Sequence, residues 1–244
     1  MAVHAAEVSV RFKARVAGAV YLLVFLAGGA AVLASSGLFA LTDAAATATN
    51  ILLHEQRFWL GFTFNLIVIV SYLVVTALFY SLFRPVSKPL SLHAALFSVV
   101  GCAVQAAALV FYATPWVVLS GSKYLASFST EQSQALALLG LKLYVQTYNI
   151  GLAFFGFYCL LIGYLIFRSV FLPRVLGVLM MFGGLSWLTF LSPPLAGYLR
   201  PYNIVPGVLG EGSLTLWLLL ASVNAQKWAE QASRCKRQIM GSPP

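Results

Sequence analysis

"FWLGFTFNLIVIVSYLVVTALFYSLF", residues 58–83, contains no charged side chain and stands between Arg57 and Arg84. As a helix this run reaches about 39 Å at 1.5 Å per residue, more than the roughly 30 Å of bilayer hydrocarbon. A membrane β-strand alternates lipid-facing and lumen-facing residues over about 10 positions, whereas this run is apolar on every face. In lipid a helix satisfies its own backbone hydrogen bonds, so the stretch reads as a membrane helix.

Five further runs of the same kind flank it: Val16–Phe39, Leu92–Leu119, Leu141–Phe167, Val175–Leu191 and Ile204–Val223. The composition agrees, with 61% hydrophobic and 9% charged residues against about a quarter charged in soluble proteins. Mean hydropathy is +0.89. The expected fold is all-α, a polytopic bundle of six membrane helices forming one integral membrane domain over residues 1–244, with a tail at 224–244. The first run is long and leads into further spans, which favours a retained helix over a cleaved signal peptide.

Basic residues assign the sides. Counted by loop parity, one side receives Arg11, Lys13, Arg15, Arg84, Lys88, Arg168, Arg174, Lys227, Arg234, Lys236 and Arg237, and the other only Arg57, Lys123 and Arg200. Short cytoplasmic loops retain Lys and Arg, so both termini are expected in the cytoplasm of a plasma-membrane protein. The net charge of +9 then follows from topology and from attraction to anionic lipid at the cytoplasmic face, with no need of nucleic acid. Cys102 and Cys159 fall within expected helices and Cys235 on the reducing side, so free thiols are expected. The tail, with Trp228, reads as an interfacial helix end.

Two connections carry helical signals of their own. "TDAAATATNILLHEQRF" offers Thr42 or Asp43 as a cap, and "STEQSQALALLGL" offers Ser129 or Thr130 ahead of Glu131 and Gln132. Both are expected as short outer amphipathic helices, after membrane helices one and three. His54 beside Glu55 does not make a metal site. Pro115 and the pair Pro193 and Pro194 are expected to terminate helices. Gly156 and Gly163, with Gly177, Gly183 and Gly184, are expected to let helices approach closely.

A shift of 84 positions aligns the second membrane helix with the fourth, placing Thr63 on Thr147, Asn65 on Asn149, Tyr80 on Tyr164, Phe83 on Phe167, Arg84 on Arg168 and Pro89 on Pro173. This suggests a parallel duplication of a hairpin unit. Similar boundary residues at the ends of any two apolar helices are the alternative explanation.

"DAAATATNIL", "YNIGLAFFGFYCLLIGYLIFRSVFLPRVLGVLM" and "GEGSLTLWLLL" resemble the signature stretches of the bacterial membrane proteins grouped as domain of unknown function 4386. The resemblance runs from about Arg15 to Val223. It implies a polytopic helical membrane protein and transfers no activity. It also implies that Glu211 matches a glutamate of the family's last helix, that Tyr158 replaces a frequent histidine, and that Asn65 stands where acids are often found.

Glu211 lies alone in the apolar stretch "VPGVLGEGSLTLWLLL", residues 205–220. Counted up from Lys227 along one straight helix it stands about 24 Å deep, level with Asn65, Asn149 and Gln105 counted along their own helices. Lys142, Gln146 and Asn149 share one helix face and lead toward that layer. An ionisable group at such depth is costly and by default marks a function. The expected reading is a protonatable acid in a small outward-facing cavity, with Asn65, Gln105, Gln146, Asn149 and Lys142 as ligand or proton-path groups for small-solute or proton-coupled transport. The alternative is a carboxyl, neutral or paired with Lys142 or Arg200, that ties helices together in a structural, sensory or assembly protein. An intramembrane enzyme acting on a lipid-like substrate is a third reading, although no catalytic, cofactor or metal-binding motif is present. Homo-oligomerisation is left open.

Overall fold

The computed structural model describes residues 2–121 and 127–240. The protein is 86% helical with no strand among the described residues. The α-helices are α1 (Ala2–Ser35), α2 (Ala44–Leu53), α3 (Glu55–Phe83), α4 (Lys88–Leu119), α5 (Thr130–Arg168), α6 (Arg174–Leu188), α7 (Pro193–Leu199), α8 (Val205–Leu220) and α9 (Ala225–Met240). Among the described residues six segments are long and apolar enough to cross a membrane: Ser9–Ser35, Glu55–Phe83, Lys88–Leu119, Thr130–Arg168, Arg174–Leu191 and Tyr202–Leu220. These are the six expected spans, with ends moved by several residues. Lys123, one of the basic residues used to assign sides, lies outside the described residues.

The ends move for local reasons. Asp43 caps α2 as expected, its Oδ1 accepting from the Ala46 N–H at 2.9 Å, and α2 stops at His54, where φ −126° and ψ 44° leave the helical region. The second outer segment is helical as expected but is not separate from the fourth span: no Pro interrupts it, and α5 runs unbroken from Thr130. Its start is a reciprocal capping box, in which Ser129 Oγ accepts from the Gln132 N–H at 3.2 Å and Gln132 Oε1 accepts from the Ser129 N–H at 2.8 Å.

Pro115 does not end its helix. It sits inside α4, which continues to Leu119, because one missing N–H in the final turns is tolerated. Pro193 and Pro194 follow the end of the fifth span and also open α7, a short helix the sequence reading lacks; the fixed proline φ suits a first helical turn. The last span ends at Leu220, where the chain turns through Ser222 at φ 58°. The tail then forms α9, started by Asn224, whose Oδ1 accepts from the Lys227 N–H at 3.0 Å.

The chain forms two compact units, and α1, α3, α4 and α5 each contribute to both. The first unit comprises Met1–Leu23, Ser71–Gly101 and Leu152–Pro244. Its core includes a glycine-mediated contact between α5 and α6. A Cβ on Gly163 would lie 2.7 Å from Gly177 O, one on Gly177 2.6 Å from Gly163 O, and one on Gly184 2.8 Å from Gly156 O. α8 packs on α6 in the same manner, since a Cβ on Gly210 would stand 2.5 Å from Leu179 O. Pro206, Gly207 and Gly210 therefore serve close packing. Trp228 Nε1 donates to Leu82 O at 2.8 Å and fastens α9 to the end of α3.

The second unit comprises Val24–Val70 and Cys102–Gly151. Its centre is Tyr112, fully buried, which stacks on Phe58 at 4.8 Å, meets Tyr144 edge-on at 5.0 Å and donates to Phe58 O at 3.0 Å.

Candidate functional site: the Glu211 cluster

Glu211 is 7% exposed, in the first unit. Lys227 belongs to α9 and not to α8, so the straight count from Lys227 overstates its height. Counted from Leu220, where α8 ends, Glu211 lies nine residues, about 14 Å, into the span. Tyr72 lies eleven residues, about 16 Å, from the Phe83 end of α3 and reaches the carboxyl; Asn65 stands seven residues earlier on α3.

Four side chains from four other helices meet the carboxyl. Tyr21 on α1 donates its hydroxyl to Oε2 at 2.5 Å, and Tyr72 on α3 donates to the same oxygen at 2.8 Å. Trp187 on α6 donates Nε1–H to Oε1 at 2.7 Å, and the Cys159 thiol on α5 lies 3.7 Å from Oε1. Tyr21 and Cys159 have no exposed surface. Apolar rings pack the phenols in place, with Tyr72 and Phe155 at a centroid distance of 4.4 Å and Tyr21 edge-on to Phe79 at 5.8 Å.

The proton inventory of the cluster allows two arrangements. The two phenol oxygens also lie 3.0 Å apart, so with Oε2 they form a triangle with sides of 2.5, 2.8 and 3.0 Å. When Glu211 is a carboxylate, both phenols donate to Oε2 and the indole to Oε1; the 2.5 Å contact from Tyr21 has the short length of a charge-assisted hydrogen bond, and the side between the phenols carries no proton. When Glu211 carries a proton on Oε2, three protons serve three sides and run in one direction round the ring. The indole bond is the same in both states, because an indole is a donor only.

The other sequence candidates lie elsewhere. Asn65, Gln105, Lys142, Gln146 and Asn149 all belong to the second unit, and none is among the hydrogen-bonding partners of Glu211. Asn65 is half-buried and returns its amide to Gly61 O, one turn back on α3, at 2.8 Å. Gln105 is 4% exposed on α4. On α5, Lys142 and Gln146 are exposed and Asn149 is half-buried. The expected pairing of Glu211 with Lys142 or Arg200 is not found either; among the described residues its partners are neutral donors.

Sequence reasoning missed the four partners. Of the four, the sequence singles out only Cys159, as a free thiol within an expected helix, and gives no separate role to Tyr21, Tyr72 or Trp187. The available signal was depth: Tyr72 stands well inside a span, where a phenol needs a hydrogen-bond partner. Elsewhere in the first unit, Asn203 donates its amide to Thr189 Oγ1 at 3.1 Å, while its backbone carbonyl accepts from the Ser186 hydroxyl. Among the described residues no three His, Cys, Asp or Glu side chains converge in a manner suited to a metal ion.

One family profile, described as "Domain of unknown function (DUF4386)", matches residues 16–221. The match covers most of the chain, and the chain belongs to this family. No curated protein and no solved structure matches it.

Proposed function

We propose that this DUF4386 protein is a proton-coupled membrane protein of the bacterial plasma membrane, in which Glu211 takes up and releases a proton during small-solute transport. The observation that carries the reading is the triangle of Tyr21, Tyr72 and Glu211 Oε2, which is hydrogen-bonded in both the two-proton and the three-proton state. An ionisable group retained inside a membrane span is expensive, and one with two satisfied protonation states is suited to exchange. The basic residues near the start of the first span, at the ends of α3 and α5 and along α9 support cytoplasmic termini and contact with anionic lipid.

The test uses the purified chain in proteoliposomes that enclose a pH-sensitive dye and are offered a panel of small polar solutes. The expected result is solute-driven proton movement with the wild-type chain and none with Glu211→Gln. If no solute moves protons, a second reading takes its place, in which Glu211 is a clasp holding five helices together. That reading is favoured by the donor set, in which protein groups engage both carboxyl oxygens.

A further inference from the structure

A second feature of the first unit lies apart from Glu211. Arg11 and Arg15, one turn apart on α1, line a cavity of about 400 Å³ together with Trp217 of α8 and the turn around Ser222. That volume lies within the range of small-ligand sites. Among the described residues the lining contains two guanidinium groups and no carboxylate. The cavity wall is fixed: the Ser222 hydroxyl donates to Arg11 O at 3.2 Å, and the Asn224 N–H donates to Phe171 O at 3.2 Å.

We infer that this cavity binds the phosphodiester headgroup of an anionic phospholipid. Paired guanidinium groups match phosphate oxygens in charge and in fork geometry. The position favours a lipid over a free phosphate. Arg11 and Arg15 sit near the start of the first span and Trp217 near the end of the last, and the flanks carry exposed apolar side chains, Phe12 at 67% and Leu220 at 80%, on which acyl chains can lie. Basic pockets between membrane helices are suited to such headgroups. The inference does not depend on the role of Glu211.

The test is native mass spectrometry of the full chain in detergent, titrated with phosphatidylglycerol, phosphatidylcholine or glycerol phosphate. One preferred phosphatidylglycerol adduct is expected, weakened at least about tenfold by Arg11→Gln or Arg15→Gln, the scale of one lost charge-assisted hydrogen bond. Arg15→Lys should retain part of the affinity, because charge remains while the fork is lost. Lys13→Gln removes the same charge from a residue that does not line the cavity and should leave the adduct within about twofold. Unchanged unfolding temperatures without lipid will establish that the variants fold. Equal weakening by Lys13→Gln, or equal binding of phosphatidylcholine, overturns the site. Glycerol phosphate binding as tightly as the lipid overturns the lipid assignment in favour of a free phosphate ligand.

Discussion

At Glu211 the choice of residue is explained by its neighbours, since a carboxylate is acceptor-only and the side chains that meet it arrive as donors. Glu211→Leu leaves the indole N–H without a partner and both phenols without Oε2. The phenols can still bond each other across 3.0 Å, so the indole and one phenol lose a partner; at about 1–3 kcal/mol each, this variant should lower unfolding stability in detergent by at least about 2 kcal/mol. Glu211→Gln should cost less, because its amide can donate to the phenol oxygens while its carbonyl accepts from Trp187. Trp187→Phe removes one donor and should cost about 1–2 kcal/mol. In a double-mutant cycle, Tyr21→Phe and Tyr72→Phe should prove coupled, because the hydroxyls touch each other and share Oε2; additive losses would show that the triangle does not act as a unit. The acid was legible in the sequence as the lone charge of its span. Its partners were not, because a tyrosine facing the bilayer headgroups and one facing a buried carboxyl have the same local pattern.

The contact between α5 and α6 depends on glycines spaced seven residues apart on each helix, 156 and 163 against 177 and 184, so that backbone meets backbone. A Cβ on Gly163 or Gly184 would have to displace main chain, and each alanine variant should destabilise by about 1–3 kcal/mol, read by thermal unfolding. Gly29→Ala is the control. Nothing lies within 4 Å of its added Cβ, so the variant should be neutral or stabilised by up to about 1 kcal/mol. The glycine composition was legible as a close-packing signal, but the pairing of 156 with 184 and 163 with 177 was not, since it depends on an antiparallel register fixed by the intervening turn. Helix ends follow the same division. Asp43 and Ser129 announced their caps, whereas the stop at Leu220 depends on the Ser222 turn, and missing that turn misplaced the polar layer.

For the whole molecule the spans were the most legible feature, because transfer energy adds over about 20 residues and local ambiguities average out. The expected orientation is testable at the thiols. Cys102 and Cys159 are buried and Cys235 on α9 is partly exposed, so a membrane-impermeant maleimide should label Cys235 alone, and only in inverted vesicles; labelling in right-side-out vesicles would reverse the topology. The proposed function turns on whether the carboxyl cluster exchanges its proton. The most direct measurement is infrared difference spectroscopy of the chain in nanodiscs across a pH titration, comparing wild type with Glu211→Gln. A protonated-carboxyl band that appears and disappears reversibly, shifts in Tyr72→Phe and is absent from Glu211→Gln is the predicted result. A carboxyl signal that never changes between mildly acidic and mildly alkaline pH would contradict the proton-coupled account and leave Glu211 as a clasp.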